Sequence, residues 1–244
     1  MIDRAQYASI VARALEEDLN DEGDITSAAV IPADSRSDAD LVARASGVVA
    51  GVPVAEYVFE CVDDTLGFTG IADGTEVRAG SVVGRVSGRS RSILTAERTA
   101  LNLLGRMSGV ATATAELVTA VAGTGARITD TRKTMPGLRS LDKYAVTAGG
   151  GVNHRMGLYD EVMVKDNHIV AAGDIVEAVA MARTAVGPTV RVIVEVEDLD
   201  QLAAVLDTDA DRVLLDNMTP SMLREAVRMV DGAMETEASG GVTL

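Results

Sequence analysis

DIVEAVAMARTAVGPTVRVIVEVED, residues 174–198, is the stretch that decides the fold. Its first half spaces apolar residues as a helix does. Its second half is a short apolar run that ends in acids, the signature of a strand buried on both faces. The same rhythm extends outward in both directions from residue 126 onward. ARITDTRK, LYDEVMVKDNH, VRVIVEVED, DRVLLDNM and METEASGG each close on a charged or polar residue, and helical stretches such as PSMLREAVRMV lie between them. Asp130, Lys165, Glu195, Asp216 and Glu237 mark the run ends. Repeated βα units with polar residues at the carboxyl ends of the strands are how a βα barrel builds its site. A doubly wound sheet would show similar strands. No G-x-G-x-x-G opens a helix after the first strand, which argues against a dinucleotide-binding sheet.

Upstream the pattern differs. Residues 4–18 carry Tyr7, Ile10, Val11, Ala14 and Leu15 at helical spacing. EDLNDEGDITS follows; it imitates the start of a calcium loop but places Ala29 where a bidentate Glu is needed, so it reads as a loop and helix cap. Residues 38–90 alternate apolar and polar with frequent glycine, as short strands and tight turns do. Thr95 is the expected cap of a helix over AERTALNLLGRMSG, with Gly105, Ser108 and Gly109 allowing close packing. Arg98 then falls near the first turn, where a cation opposes the helix dipole and hints at function.

The composition bounds the partners. The 244 residues include 37 acids and 22 bases, for a formal net charge of -15. Phosphate attraction needs a basic face, so nucleic-acid binding is disfavoured, and the scarcity of aromatics (4 Tyr, 2 Phe, no Trp) leaves no base-stacking platform. Cys61 is the only cysteine, which excludes an internal disulfide and suits a reducing compartment. With no secretory h-region and no apolar run near the roughly 20 residues of a membrane span, the expected location is the cytoplasm, with no membrane partner. Against this acidic background, residues 130–168 hold all three lysines (Lys133, Lys143, Lys165) and both histidines (His154, His168). Such a cationic island points to a small anionic ligand.

The run-end residues fit that ligand chemically. Arginine forks such as Arg132 and Arg155 grip carboxylate or phosphate bidentately, and Lys133, Lys165 and His154 add point charges. Glu195 and Asp216 suit Mg²⁺ held through phosphate oxygens and water, or a developing ribosyl cation. Ser239, Gly240 and Gly241 can offer a hydroxyl and backbone N–H groups to a phosphate. A lysine at a barrel strand end can also form a Schiff base, so Lys165 in a barrel lyase is a rival reading.

ITDTRKTMPGLRSLDKYAVTAGGGVNHRMGLYDEVMVKDNH resembles the quinolinate phosphoribosyltransferase family, also called nicotinate-nucleotide pyrophosphorylase (carboxylating). The resemblance extends to EDLNDEGDITS, AERTALNLLGRMSGVAT, VEVED, LLDNM and EASGG in the expected order. It implies an α/β fold: an N-terminal α/β sandwich over residues 1–109 and an incomplete parallel α/β barrel over 110–244, with the last βα unit absent. It implies synthesis of nicotinate mononucleotide from quinolinate and phosphoribosyl pyrophosphate, with release of pyrophosphate and CO2, in de novo NAD biosynthesis. Carried onto this sequence, it makes Arg132, Lys133, His154, Arg155 and Lys165 a quinolinate and phosphate pocket. Lys133, Lys165, Glu195 and Asp216 become the catalytic set, Glu195 and Asp216 facing the ribose and its Mg²⁺, the latter held indirectly. Ser239 and Gly240 join the 5′-phosphate grip. Arg98 becomes the arginine that enters a neighbouring subunit's site, implying a homodimer or a hexamer of such dimers. A molybdenum-transport-associated relative shares much of the pattern, and a truncated, inactive paralogue is the remaining alternative.

Overall fold

The structure, a computed structural model, describes residues 2–243. The chain divides into two compact units, residues 1–154 and 155–244.

In the first unit, Asp3 caps a short 3-10 turn at Arg4–Gln6, and helix α1 (Ala8–Leu19) buries Ile10 and Val11. The acidic segment after it is the loop and cap its residues suggest: Asp24 accepts the Ser27 N–H at 2.8 Å and starts α2 (Ile25–Val30). Then come β1 (Arg36–Val42), β2 (Gly47–Val48), α3 (Val52–Val62), β3 (Gly67–Gly70), β4 (Glu76–Val77) and β5 (Val82–Arg89). Pro53 sits in the first turn of α3, where its missing N–H costs nothing. The strands form an antiparallel sheet of order β1-β5-β3 and a separate β2-β4 pair. Val86 on β5 lies opposite both Ala39 and Phe68. Helix α4 (Ser90–Ala120) buries Ile93, Ala96, Ala100, Leu103, Met107 and Ala111 along one stripe and packs on α3 and on α5 (Arg139–Ala148).

Several expectations fail here. Helix α4 begins at Ser90, not after Thr95. The Ser90 hydroxyl bonds Ser35 (2.9 Å) and Ser37 (2.7 Å), and the Ser90 N–H bonds the Ser35 carbonyl at 2.9 Å; these anchors fix the helix start directly after β5. Thr95 is therefore interior and bonds Asp24 at 3.1 Å. Arg98 lies more than two turns into the helix, beyond the reach of its dipole end. Gly105 and Gly109 make no close packing within the chain: a Cβ at either would meet nothing within 4 Å. They border an open apolar groove of about 560 Å³ with Leu41, Val42, Leu101 and Leu104. Of that trio only Ser108 packs tightly, bonding the Ala50 N–H at 3.1 Å. The run ARITDTRK forms only a parallel bridge between Thr129 and Val152, because Ile128 is its single large apolar residue. Apart from these, the expected division at 109/110 lies within α4, all of which belongs to the first compact unit, 1–154.

The second unit contains β6 (Val162–Val164), α6 (Asp166–Ala172), α7 (Ile175–Val186), β7 (Val192–Val196), α8 (Leu199–Leu206), β8 (Arg212–Asp216), α9 (Pro220–Val230) and β9 (Glu235–Ser239). The strands run parallel in the order β6-β7-β8-β9. Val192, Ile193, Val194 and Val196 are fully buried, as expected for a parallel strand covered on both faces. Each such side chain contributes roughly 1.5–3 kcal/mol of burial. Asp174, Asp198 and Thr219 cap α7, α8 and α9 through backbone N–H groups at 2.7, 2.7 and 3.3 Å. β9 is an edge strand with mostly exposed residues, held by Arg212 through Glu235 (2.7 Å) and Glu237 (3.2 Å). This alternation of parallel strands and helices is the barrel-type arrangement that the spacing of run ends predicts. Among the described residues no helix is long and apolar enough to cross a membrane.

Candidate functional site

Each unit presents its own set of the candidate residues. In the first unit, Arg132 and Lys133 ride on the loop between Asp130 and α5. The loop is tied at several points: Lys133 N–H bonds Thr131 Oγ1 (2.9 Å), Arg139 Nε bonds Thr134 Oγ1 (3.1 Å), and Met135 N–H bonds Asp142 Oδ2 (3.3 Å). Asp142 is itself held by the Arg106 fork at 2.8 and 2.7 Å. Among the described residues the buried Arg132 Nε has no hydrogen-bond partner, while the Lys133 side chain is exposed. A buried guanidinium N–H left unpaired by the protein suits an anionic ligand.

His154 is set by its backbone. Its N–H bonds Asp130 Oδ1 at 2.9 Å and its carbonyl accepts from Lys143 Nζ at 3.0 Å. Asp130 and Lys143 form a buried ion pair, so neither is a free ligand for substrate. Arg98 is exposed on α4 and lines a hollow of about 280 Å³ with Asp18, Asp24 and Thr95.

In the second unit the sheet sets the geometry. Arg155 is buried, with Nη1 donating to the Glu161 carbonyl at 3.2 Å and Nη2 contacting the Met163 sulfur at 3.6 Å. Lys165 leaves the end of β6 and ion-pairs with Glu195 near the end of β7. That setting pairs the ammonium with a carboxylate, whereas a Schiff-base lysine is activated by an apolar pocket or a neighbouring cation. His168 Nδ1 accepts the Lys165 N–H at 3.0 Å and so fixes the turn that carries the ammonium. Asp216 ends β8 opposite Ser239 of β9, and its Oδ2 accepts from Asn217 at 2.7 Å. The Asn217 N–H bonds the Ser239 carbonyl at 2.9 Å. Gly240 has φ +84°, and a Cβ there would collide with Asn217, so the strand can turn there only as glycine. Lys165, Glu195, Asp216, Ser239 and Gly240 thus share the carboxyl end of the parallel sheet, where α/β sheets bind ligands.

Among the described residues no three His, Cys, Asp or Glu side chains form a metal cage. Mg²⁺ needs no such cage when it arrives bound to phosphates, because one or two carboxylates and water complete its shell. Glu195 and Asp216 fit that limited role.

The run-end pattern of the sequence brings Lys165, Glu195 and Asp216 to one sheet end. It misses the Arg106–Asp142 fork, the clamp on His154 and the turn bond of His168. The adjacent Asp142 and Lys143 inside the apolar stripe of α5 are the signal that points to the first two.

Two family models match. One, described as quinolinate phosphoribosyl transferase, N-terminal domain, covers residues 24–108, and its C-terminal-domain counterpart covers 110–244. A Nicotiana tabacum protein named quinolinate phosphoribosyltransferase [decarboxylating] 1b is 44% identical over 96% of this chain and 72% of its own length. A Mycobacterium leprae nicotinate-nucleotide pyrophosphorylase [carboxylating] is also 44% identical, over 96% of this chain and 84% of its own. The crystal structure of NadC from Streptococcus pyogenes superposes with a TM-score of 0.95 at 36% identity, covering all of this chain and 86% of that one.

Proposed function

The chain belongs to the quinolinate phosphoribosyltransferase family, and from that premise we propose that it transfers phosphoribose from phosphoribosyl pyrophosphate to quinolinate, with decarboxylation to nicotinate mononucleotide. The observation that carries this reading is the Lys165–Glu195 pair, set at the strand ends beside Asp216 and Ser239. That arrangement provides both an anion-binding cation and carboxylates suited to a ribosyl cation.

In this reading Arg132, Lys133, His154, Arg155 and Lys165 hold the two carboxylates of quinolinate and the phosphates. The ring nitrogen attacks the anomeric carbon as its bond to the pyrophosphate oxygen breaks. The transition state has oxocarbenium character, and Glu195 and Asp216 stabilise the positive ribose. Mg²⁺, when bound with the phosphates, would neutralise charge on the departing pyrophosphate. Ser239 and the Gly240 backbone grip the 5′-phosphate. In the second stage the bond from ring carbon 2 to its carboxylate breaks. CO2 leaves, the electron pair stays on a carbon beside the quaternised nitrogen, and a proton takes its place. The protein's share is positioning and preorganised charge.

We also propose a cytoplasmic homodimer in which Arg98 of one subunit completes the other's site. The support is its exposure on α4, at the edge of an open hollow.

Incubation with quinolinate, phosphoribosyl pyrophosphate and Mg²⁺, scored for nicotinate mononucleotide, tests the reading. Turnover is expected in the wild-type protein and its loss in Arg132→Ala, with the thermal melt retained. Near-normal steady-state kinetics in Arg132→Ala would count against the assignment of the cationic loop.

A further inference from the structure

We propose that Lys143, which touches no substrate in the reading above, is a positioning residue whose buried pair with Asp130 fixes the dicarboxylate grip. The inference rests on the proposed binding roles of Arg132 and His154.

Lys143 is 1% exposed, and an unpaired ammonium at that depth would be strongly destabilising. Its surroundings explain how it is kept there. Nζ pairs with Asp130 and donates to the His154 carbonyl at 3.0 Å. Asp130 Oδ1 accepts the His154 N–H at 2.9 Å. With its amide nitrogen turned inward, Asn153 donates to the Lys143 carbonyl at 2.9 Å and to Asp130 Oδ2 at 2.6 Å. The N–H and the carbonyl of His154 therefore both end on the two members of one ion pair. Asp130 also begins the loop that carries Arg132 and Lys133, and the neighbouring Asp142 holds its far side at Met135. Two consecutive residues of α5 thus set the position of both anion-binding segments of this unit. The ammonium is committed and enclosed, so its effect on substrate passes through those segments.

A pair kept only for stability behaves differently from a positioning pair. Buried ion pairs can often be exchanged for apolar residues with little loss of stability. A clamp cannot be exchanged without moving what it holds, and small displacements of binding groups cost roughly tenfold or more.

The test is equilibrium titration of quinolinate into Lys143→Met and into the double variant Lys143→Met/Asp130→Leu, each below its measured melting temperature. The double variant leaves no unpaired buried charge, and it decides the matter if the single variant does not fold. Weakening of the quinolinate Kd by about tenfold or more in folded protein is the expected result. A folded variant that binds within about twofold of wild type overturns the inference alone. Failure of the wild-type protein to bind quinolinate overturns the functional reading, and this inference with it.

Discussion

Glu195 joins two elements and two tasks. It reaches from β7 to the ammonium of Lys165 beyond β6, and in the proposed reaction it also faces the ribose. Replacing it by Gln keeps the shape and removes the charge. Glu195→Gln is expected to lower kcat by about 100-fold or more, the scale of losing one preorganised electrostatic group. The thermal melt should stay within a few degrees of wild type, because the Lys165 side chain is 39% exposed and water can take up its charge. Initial-rate assays beside circular-dichroism melts check both halves. Lys165, Glu195 and Asp216 are legible in the sequence because each ends an apolar run. The partners of Lys143 and Asp142 are not, because Asp130 and Arg106 lie 13 and 36 residues away and no local periodicity encodes such a pairing. The buried Arg132 Nε is equally invisible, since only the folded loop decides which guanidinium nitrogen meets water.

Elements fix where such residues can be. Asp63, just after α3, accepts the Thr65 hydroxyl at 2.6 Å and the Ser92 hydroxyl at 2.7 Å, which ties the end of α3 to the first turn of α4. Those hydroxyls, Thr65 first and then Ser92, hold its carboxyl below the usual carboxylate range. The sign follows from linkage. A depressed carboxyl contributes stability above its unfolded value of about 3.9, and the contribution is lost as pH falls through the lower folded value. Asp63→Asn should therefore destabilise the protein by about 1–3 kcal/mol at pH 7, with the gap to wild type narrowing below about pH 4. Urea titrations at neutral and acid pH measure it, and a gap independent of pH would contradict the linkage. Gly149 is tested sterically. Its φ of −80° suits any residue, but a Cβ would drive into the Ala111 carbonyl and Thr114 of α4. Gly149→Ala should cost roughly 1–3 kcal/mol through overpacking of α4 against α5, seen as a lower Tm. The helix–strand alternation after residue 126 and the short strands ahead of it are readable from periodicity. The start of α4 is not, because serine-to-serine contacts with a distant segment place it.

At the scale of the molecule, the acidic chain keeps its few lysines and histidines in one segment, so the charge pattern of the sequence itself points to the ligand class. Assembly is tested by mixing two inactive proteins. If Arg98 acts across a two-fold axis, Arg98→Ala and Lys165→Ala subunits combine so that each hybrid dimer has one site free of both substitutions. Random exchange should then restore about a quarter of wild-type activity. Recovery at background level in a mixture shown to exchange subunits would place Arg98 in its own subunit's site. The proposed reaction depends on recognition of two carboxylates and on linked loss of one. The most direct measurement offers quinolinate and nicotinate side by side, each with phosphoribosyl pyrophosphate and Mg²⁺, and counts nucleotide and CO2. Nicotinate mononucleotide and CO2 in equal amounts from quinolinate, and no product from nicotinate, are the predicted result. Comparable turnover of nicotinate, or nucleotide formed from quinolinate without CO2, would contradict it.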